Sequence, residues 1–168
     1  MGHDDFFQRL TGELAALFRR DIARLTQEIH AFPDDASLWQ AVPGVNNCAG
    51  NLVLHLEGNL REYIGRRLGG VPYQRNRAAE FSQRGLTRSD LVNGIESLSL
   101  VPEILKRISE AQWLSECGDD PLPGARSMGQ FLTSLYGHFH YHLGQIDYLR
   151  RILTKGTAIS FAQLESSS

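Results

Sequence analysis

Three of the six histidines of this chain fall within the short run Gly137-His138-Phe139-His140-Tyr141-His142. Imidazole is the commonest metal-ligating side chain, and it suits zinc, nickel, copper and iron alike. His138 and His142 stand in an i, i+4 relation, so on a helix both rings leave the same face one turn apart. One helix presents two imidazoles to one ion by this geometry. His140 lies two residues from each and points elsewhere. Phe139 and Ile146 flank the pair, and burying two histidines on an apolar flank is costly unless their nitrogens find partners. A metal is one such partner; a hydrogen-bonded pair inside a helical bundle is the other.

A metal centre needs a further ligand, and His55 is the candidate from another helix. It sits among apolar residues in Asn51-Leu52-Val53-Leu54-His55-Leu56-Glu57, with Asn51, Asn59 and Glu62 on the same stripe. A polar stripe on an apolar helix suggests a pocket. Three neutral imidazoles leave coordination positions open, as catalytic centres do and closed structural sites do not. Asn59, Glu62 and Tyr141 are candidates for an acid, a base or an orienting group. His3 and His30 read as surface or capping residues.

The elements that would carry these residues are helices. Phe7, Leu10, Leu14, Leu17, Phe18, Ile22, Leu25 and Ile29 recur in steps of three and four, which predicts a first helix from about Asp4 to Phe32, ended by Pro33. Asp4 and Asp5 suit its positive N-terminal end. A connector to about Val45 follows, with Leu38 and Trp39 as its anchors. A second helix is expected from about Asn47 to Leu68, capped by Asn46 or Asn47 and stopped by Gly69 and Gly70. The polar stretch from Val71 to Gly85 reads as a long loop. Thr87, with Asp90 as its capping-box partner, opens a third helix, in which Pro102 must kink or break the hydrogen-bond ladder. The run from Gln112 to Arg126 again reads as a loop, with Gly118, Pro121, Pro123 and Gly124. Ser127 and Gln130 form a second capping box, opening a fourth helix that runs to about Lys155 and stops at Gly156. The tail from about residue 157, ending in three serines, is expected to be loose. Four amphipathic helices with no strand pair point to an all-α, four-helix bundle.

Composition is consistent with one domain. The chain has 168 residues, 42% of them apolar and 21% charged, enough to bury a core without staples. A formal net charge of −2, with both signs mixed along the chain, gives no footprint for nucleic acid or a membrane surface. The basic cluster Arg61, Arg66 and Arg67 reads first as the wet face of a helix. Cys48 and Cys117, the two cysteines, make no disulfide framework, and a reducing compartment is the simpler reading. Neither a signal peptide nor a membrane span is evident, so a soluble cytoplasmic protein is expected.

The segment Tyr136-Gly137-His138-Phe139-His140-Tyr141-His142-Leu143-Gly144-Gln145-Ile146 resembles the His-x-x-x-His-x-Gly-Gln-Ile signature of the DinB/YfiT-like family of metal-dependent enzymes. Asn51 to Leu60 resembles that family's earlier histidine motif. Trp39 and Pro43 ahead of the second helix, and the Gly69-Gly70 turn followed by Arg75, Arg77, Glu80 and Phe81, are similar too. The resemblance implies a four-helix bundle in up-down-down-up order with a long crossover. It implies a divalent ion, zinc or nickel first, on His55, His138 and His142, and a homodimer. Some relatives are thiol S-transferases that use a low-molecular-weight thiol; others are isomerases or hydrolases. One position departs: many relatives have Arg after the last histidine, where this chain has Leu143. The resulting expectation is a metal-dependent transferase or hydrolase acting on a small molecule, with a non-catalytic metal- or ligand-binding bundle as the alternative.

Overall fold

The computed structural model describes residues 3–117, 124 and 126–159, and the side chains from residue 5 onward within them. The expected loose tail lies largely outside these residues, as do Gly118, Pro121 and Pro123 and the side chain of Asp4. Among the described residues the chain is all-helical and has no strand. No helix is long and apolar enough to cross a membrane.

Four long helical stretches do most of the packing. The first is α1 (His3–His30), which ends three residues ahead of Pro33. The second is α3 (Ala49–Leu60), continued by a π-helical turn, Arg61–Arg66. The third is α5 (Arg88–Glu96), a 3-10 turn at Ser97–Ser99, and α6 (Leu100–Leu105). The fourth is α8 (Met128–Thr154). Three short helices join them: α2 (Asp35–Leu38), α4 (Arg77–Ser82) and α7 (Glu110–Leu114).

Several local expectations hold. Thr87 and Asp90 cap α5 reciprocally. The ladder breaks upstream of Pro102: the 3-10 turn replaces the bond that proline cannot donate to Leu98, and Pro102 falls in the first turn of α6, where a missing N–H costs little. Leu38 is fully buried, and the Trp39 indole donates to the Leu86 carbonyl at 2.9 Å.

Others need correction. The second helix starts at Ala49 with Cys48 as N-cap, not at Asn46 or Asn47. Ser127 caps α8, but the Gln130 side chain accepts from Arg126 N instead of closing a box on Ser127. The helix stops on Lys155, held at φ 56° in the left-handed region, ahead of the glycine. Two short helices fall on the stretches read as loops: α4, capped by Asn76, lies within the first, and α7, capped by Ser109, starts just ahead of the second and runs into it. Asn76 is a single polar cap and Ser109 closes a capping box with Gln112, but neither has a long apolar stripe behind it, so periodicity does not detect them.

The long stretches meet along an apolar core of Phe18, Leu25, Leu56, Leu60, Ile95, Leu98, Phe139 and Ile146, among others. α1 packs on α5, α6 and α8, while α3 packs on α5 and α8. Named contacts fix how these stretches run past one another. Arg88 reaches the Phe32 carbonyl, and Arg19 reaches Glu103. Asp21 meets Tyr136 and His140, and Glu28 meets Arg150. His55 meets His138, and Tyr63 meets Phe131. Glu57 lies over Gly94, and Gly69 lies under Ile104.

Candidate metal centre

His55 is buried in the middle of α3, and its polar atoms face α8 and α4. Leu52, Leu56 and Leu60 on the same helix are buried and fix its rotation. His138 and His142 leave α8 one turn apart, with Phe139 and Leu143 buried beside them. The fold brings all three imidazoles together, and one ligand nitrogen from each lies within 4.8 Å of the others. Ring centroids are 4.4 Å apart for His138 and His142 and 5.2 Å apart from His55 to each.

Hydrogen bonds decide which nitrogen of His55 and of His142 is offered. His55 Nδ1 lies 2.8 Å from Glu80 Oε2. Glu80 is buried and held in a fork by Arg75, whose Nε and Nη2 donate at 2.6 and 2.8 Å. Burial pushes the Glu80 carboxyl up, but the bonds and charge from Arg75 and His55 outweigh it and leave the group below its ordinary value. An ionised carboxylate only accepts, so His55 Nδ1 carries the proton and its Nε2 lone pair faces the other two rings. His142 Nδ1 lies 2.6 Å from Gln145 Oε1, an amide oxygen that likewise only accepts, leaving Nε2 of His142 as the free nitrogen.

The electrostatics suit a cation. Burial, with His142 and His55 adding to it, pulls His138 down to about 4. Burial also lowers His142, with His55 assisting and the Gln145 bond opposing. Both rings are therefore neutral near pH 7, as a metal ligand must be. His55 Nε2 and His138 Nε2 are 3.0 Å apart. Two imidazole nitrogens each about 2.0–2.1 Å from one ion are separated by about 3 Å at a right angle and about 3.3 Å at the tetrahedral angle. The His55–His138 pair therefore already has the spacing of two ligands on one divalent ion, and with His142, whose ligand nitrogen lies within 4.8 Å of both, these three histidines could hold one.

Asn59 completes the surroundings. It is buried, and its Nδ2 lies 3.0 Å from Nε2 of both His55 and His138. Glu62 and Tyr141, the other two sequence candidates, are placed differently. Glu62 is bound by Arg66 and Arg67. Its bonds from Arg66, then Arg67, overcome desolvation and hold it down at about 2, so near neutral pH it is a fixed anion and not a proton shuttle. Tyr141 is 63% exposed, with its ring edge-on to His142 at 5.2 Å. His140 does point elsewhere, to Asp21 on α1 at 2.9 Å.

Glu80, Arg75 and Gln145 hold the ligands, yet periodicity assigns the first two no role. Arg75 and Glu80 lie in a polar stretch that looks solvated until α4 folds onto α3. Asn51 makes that docking possible: its Nδ2 donates to the carbonyls of Glu80 at 2.8 Å and Gln83 at 3.2 Å. Gly58 leaves the room, since a Cβ there would clash with Glu80 Oε1 and sit 2.9 Å from its Cδ. Phe81 covers the outer side of the His55 ring at 5.0 Å between centroids.

The model of a family described as a protein of unknown function, DUF1572, matches residues 8–163. Nothing among curated proteins or solved structures matches the chain.

Proposed function

The chain belongs to the DUF1572 family, whose description assigns no activity, and from the site itself we propose a metal-dependent transferase or hydrolase centred on His55, His138 and His142. One observation carries this reading. The Arg75–Glu80 pair fixes the His55 tautomer, so that its lone pair points at the same spot as two further neutral imidazoles. A carboxylate behind a ligating histidine is the usual outer partner of a metal-bound imidazole.

A zinc or nickel ion on these nitrogens would supply Lewis acidity, lowering the pKa of a bound water or of a small thiol. The chain's own residues do the rest. Glu80 holds the His55 proton at Nδ1, and Gln145 does the same for His142. Asn59 points its amide at the meeting point of His55 and His138, where it can orient a polar group. Burial keeps His138 unprotonated at neutral pH.

The resemblance to DinB/YfiT-like proteins supports a thiol S-transferase acting with a low-molecular-weight thiol, in a cytoplasmic homodimer. The contacts between the long stretches support the corresponding architecture, a four-helix bundle in up-down-down-up order. Arg88–Phe32 and Arg19–Glu103 run the third stretch against α1, and Glu57–Gly94 with Gly69–Ile104 run it along α3. Asp21–His140 and Glu28–Arg150 run α8 along α1. The alternative remains a non-catalytic bundle that binds a metal or small ligand.

The test is metal content per chain by inductively coupled plasma mass spectrometry, on untagged wild type and on His142→Ala. We expect close to one divalent ion in the wild type and its loss in the variant. A wild type that holds no metal and refuses added zinc and nickel would sink the three-histidine reading. A metal whose removal unfolds the chain would favour the structural alternative over the enzyme.

A further inference from the structure

His142 has a second neighbourhood. Its outer side forms one wall of a cavity of about 420 Å³ between α8 and the connector that precedes α3. That volume lies in the range that encloses a small organic ligand. Leu52 and Leu149, both buried, lie at its inner side, while Ile152, Tyr141 and Tyr148 are each more than half exposed around it. Asn46, Asn47 and Gln145 contribute amides. Gln145 spends its oxygen on His142, which leaves its NH2 group as a donor.

The lining contains no Asp, Glu, Lys or Arg. Two other grooves near the centre differ sharply. One is lined by Glu62, Arg66, Arg67 and Arg75, the other by Glu57 and Glu80. Formal charge therefore lines these grooves and is absent from the lining of this one, where Arg151 lies behind the Tyr148 ring and is paired with Asp147. A charged ligand would lose its hydration here without gaining a counter-ion from the lining. An uncharged apolar group would gain burial and aromatic contact.

We propose that this cavity is the substrate-binding pocket and that it takes an uncharged aromatic or alkyl group whose adjoining neutral polar head, an amide, ester or hydroxyl, lies toward Gln145 and His142. The proposal depends on the metal reading only for what the polar head meets; the pocket itself is made of this chain's side chains.

Binding to the metal-free full-length chain tests it separately from the metal. The probes are phenylacetamide, phenylacetate and phenethylamine, which share a ring and differ in charge, followed by saturation-transfer NMR and calorimetric titration. Phenylacetamide should bind at least tenfold more tightly than either ion. Ile152→Glu puts a charge at an exposed rim position and should weaken it tenfold or more, with unchanged circular dichroism. Tyr148→Ala should weaken it severalfold. Equal binding of the three probes, no binding of the amide, or unchanged affinity in both variants overturns the proposal. So does a wild-type dimer that Ile152→Glu dissociates, because a second copy would then fill the groove. Metal content of the same samples keeps the two readings apart: zinc uptake without amide binding rejects the pocket alone, and amide binding without zinc uptake rejects the metal centre alone.

Discussion

At the scale of single residues, the centre depends on which nitrogen of each imidazole holds the proton. Glu80→Gln keeps the size of the side chain but removes the charge that holds His55 Nδ1 protonated. Zinc affinity, measured in competition with a chromophoric chelator, should fall by about 10- to 100-fold, the usual loss when such an outer partner is removed. Glu80→Ala should also cost on the order of 3 kcal/mol of stability, because it strands Arg75 beside a buried ring. The histidines set a pH dependence as well. Burial holds His138 at about 4 in the folded chain, below the value of about 6.5 it takes when unfolded. Between these values the unfolded state binds the extra proton. The metal-free chain is thus most stable above about pH 6.5 and loses stability as the pH falls toward 4. Because the ring is partly exposed, the loss should be only on the order of 2 kcal/mol. Urea unfolding at a series of pH values measures it, and His138→Gln should flatten the slope.

At the scale of elements, the site depends on a six-residue helix lying flat on a longer one. α4 is too short to be stable alone; Asn51, the Arg75–Glu80–His55 chain and the gap at Gly58 hold it there. Gly58→Ala sets two effects against each other. Alanine in a helix interior gains up to about 1 kcal/mol over glycine. The new methyl must also displace a buried carboxylate that is bonded on both oxygens. Displacement should win, lowering both zinc affinity and melting temperature; a variant that melts higher and binds zinc normally would show that α4 is not pressed against α3. The π-helical turn at Arg61–Arg66 follows Asn59 directly and adds one residue to the ladder. Within it Glu62 is bound by Arg66 and Arg67.

At the scale of the whole molecule, the core is built from apolar side chains of all four long stretches. The fold should therefore survive loss of the metal. Stripping the ion with a chelator should leave far-UV circular dichroism nearly unchanged. Free metal at a hundredfold excess over its dissociation constant adds about 2.7 kcal/mol. For a chain of this length that raises the melting temperature by roughly 5–10 °C. Collapse of the helical signal on chelation would place the metal among the elements that fold the chain. A second polar seam binds α1 to α8, where Glu28, fully buried, meets Arg150. Burial raises Glu28 despite that partner, and its Oε1 has no hydrogen-bond partner among the described residues. Glu28→Gln would relieve a buried charge but leave Arg150 with Asp147 and the Thr157 carbonyl as its acceptors, and it should destabilise the chain by roughly 1–3 kcal/mol in thermal unfolding.

The sequence by itself determined the helices and the ligand pair. An i, i+4 spacing and an apolar period of 3.6 are properties of a helix alone, so α1, α3 and α8 could be read along the chain, as could the common face of His138 and His142. His55 was legible as an inward histidine because leucines surround it. Tertiary structure decided the rest. Glu80 lies 25 residues beyond His55 in a stretch with no apolar stripe, and its role exists only once α4 docks on α3. Glu62 and Asn59 share a polar stripe in sequence, yet Glu62 meets Arg66 and Arg67 while Asn59 meets the imidazoles. The uncharged cavity beside His142 is assembled from a connector and two helices far apart along the chain. Local periodicity records which face of an element is buried; which polar group then meets which is set by packing between elements distant in sequence.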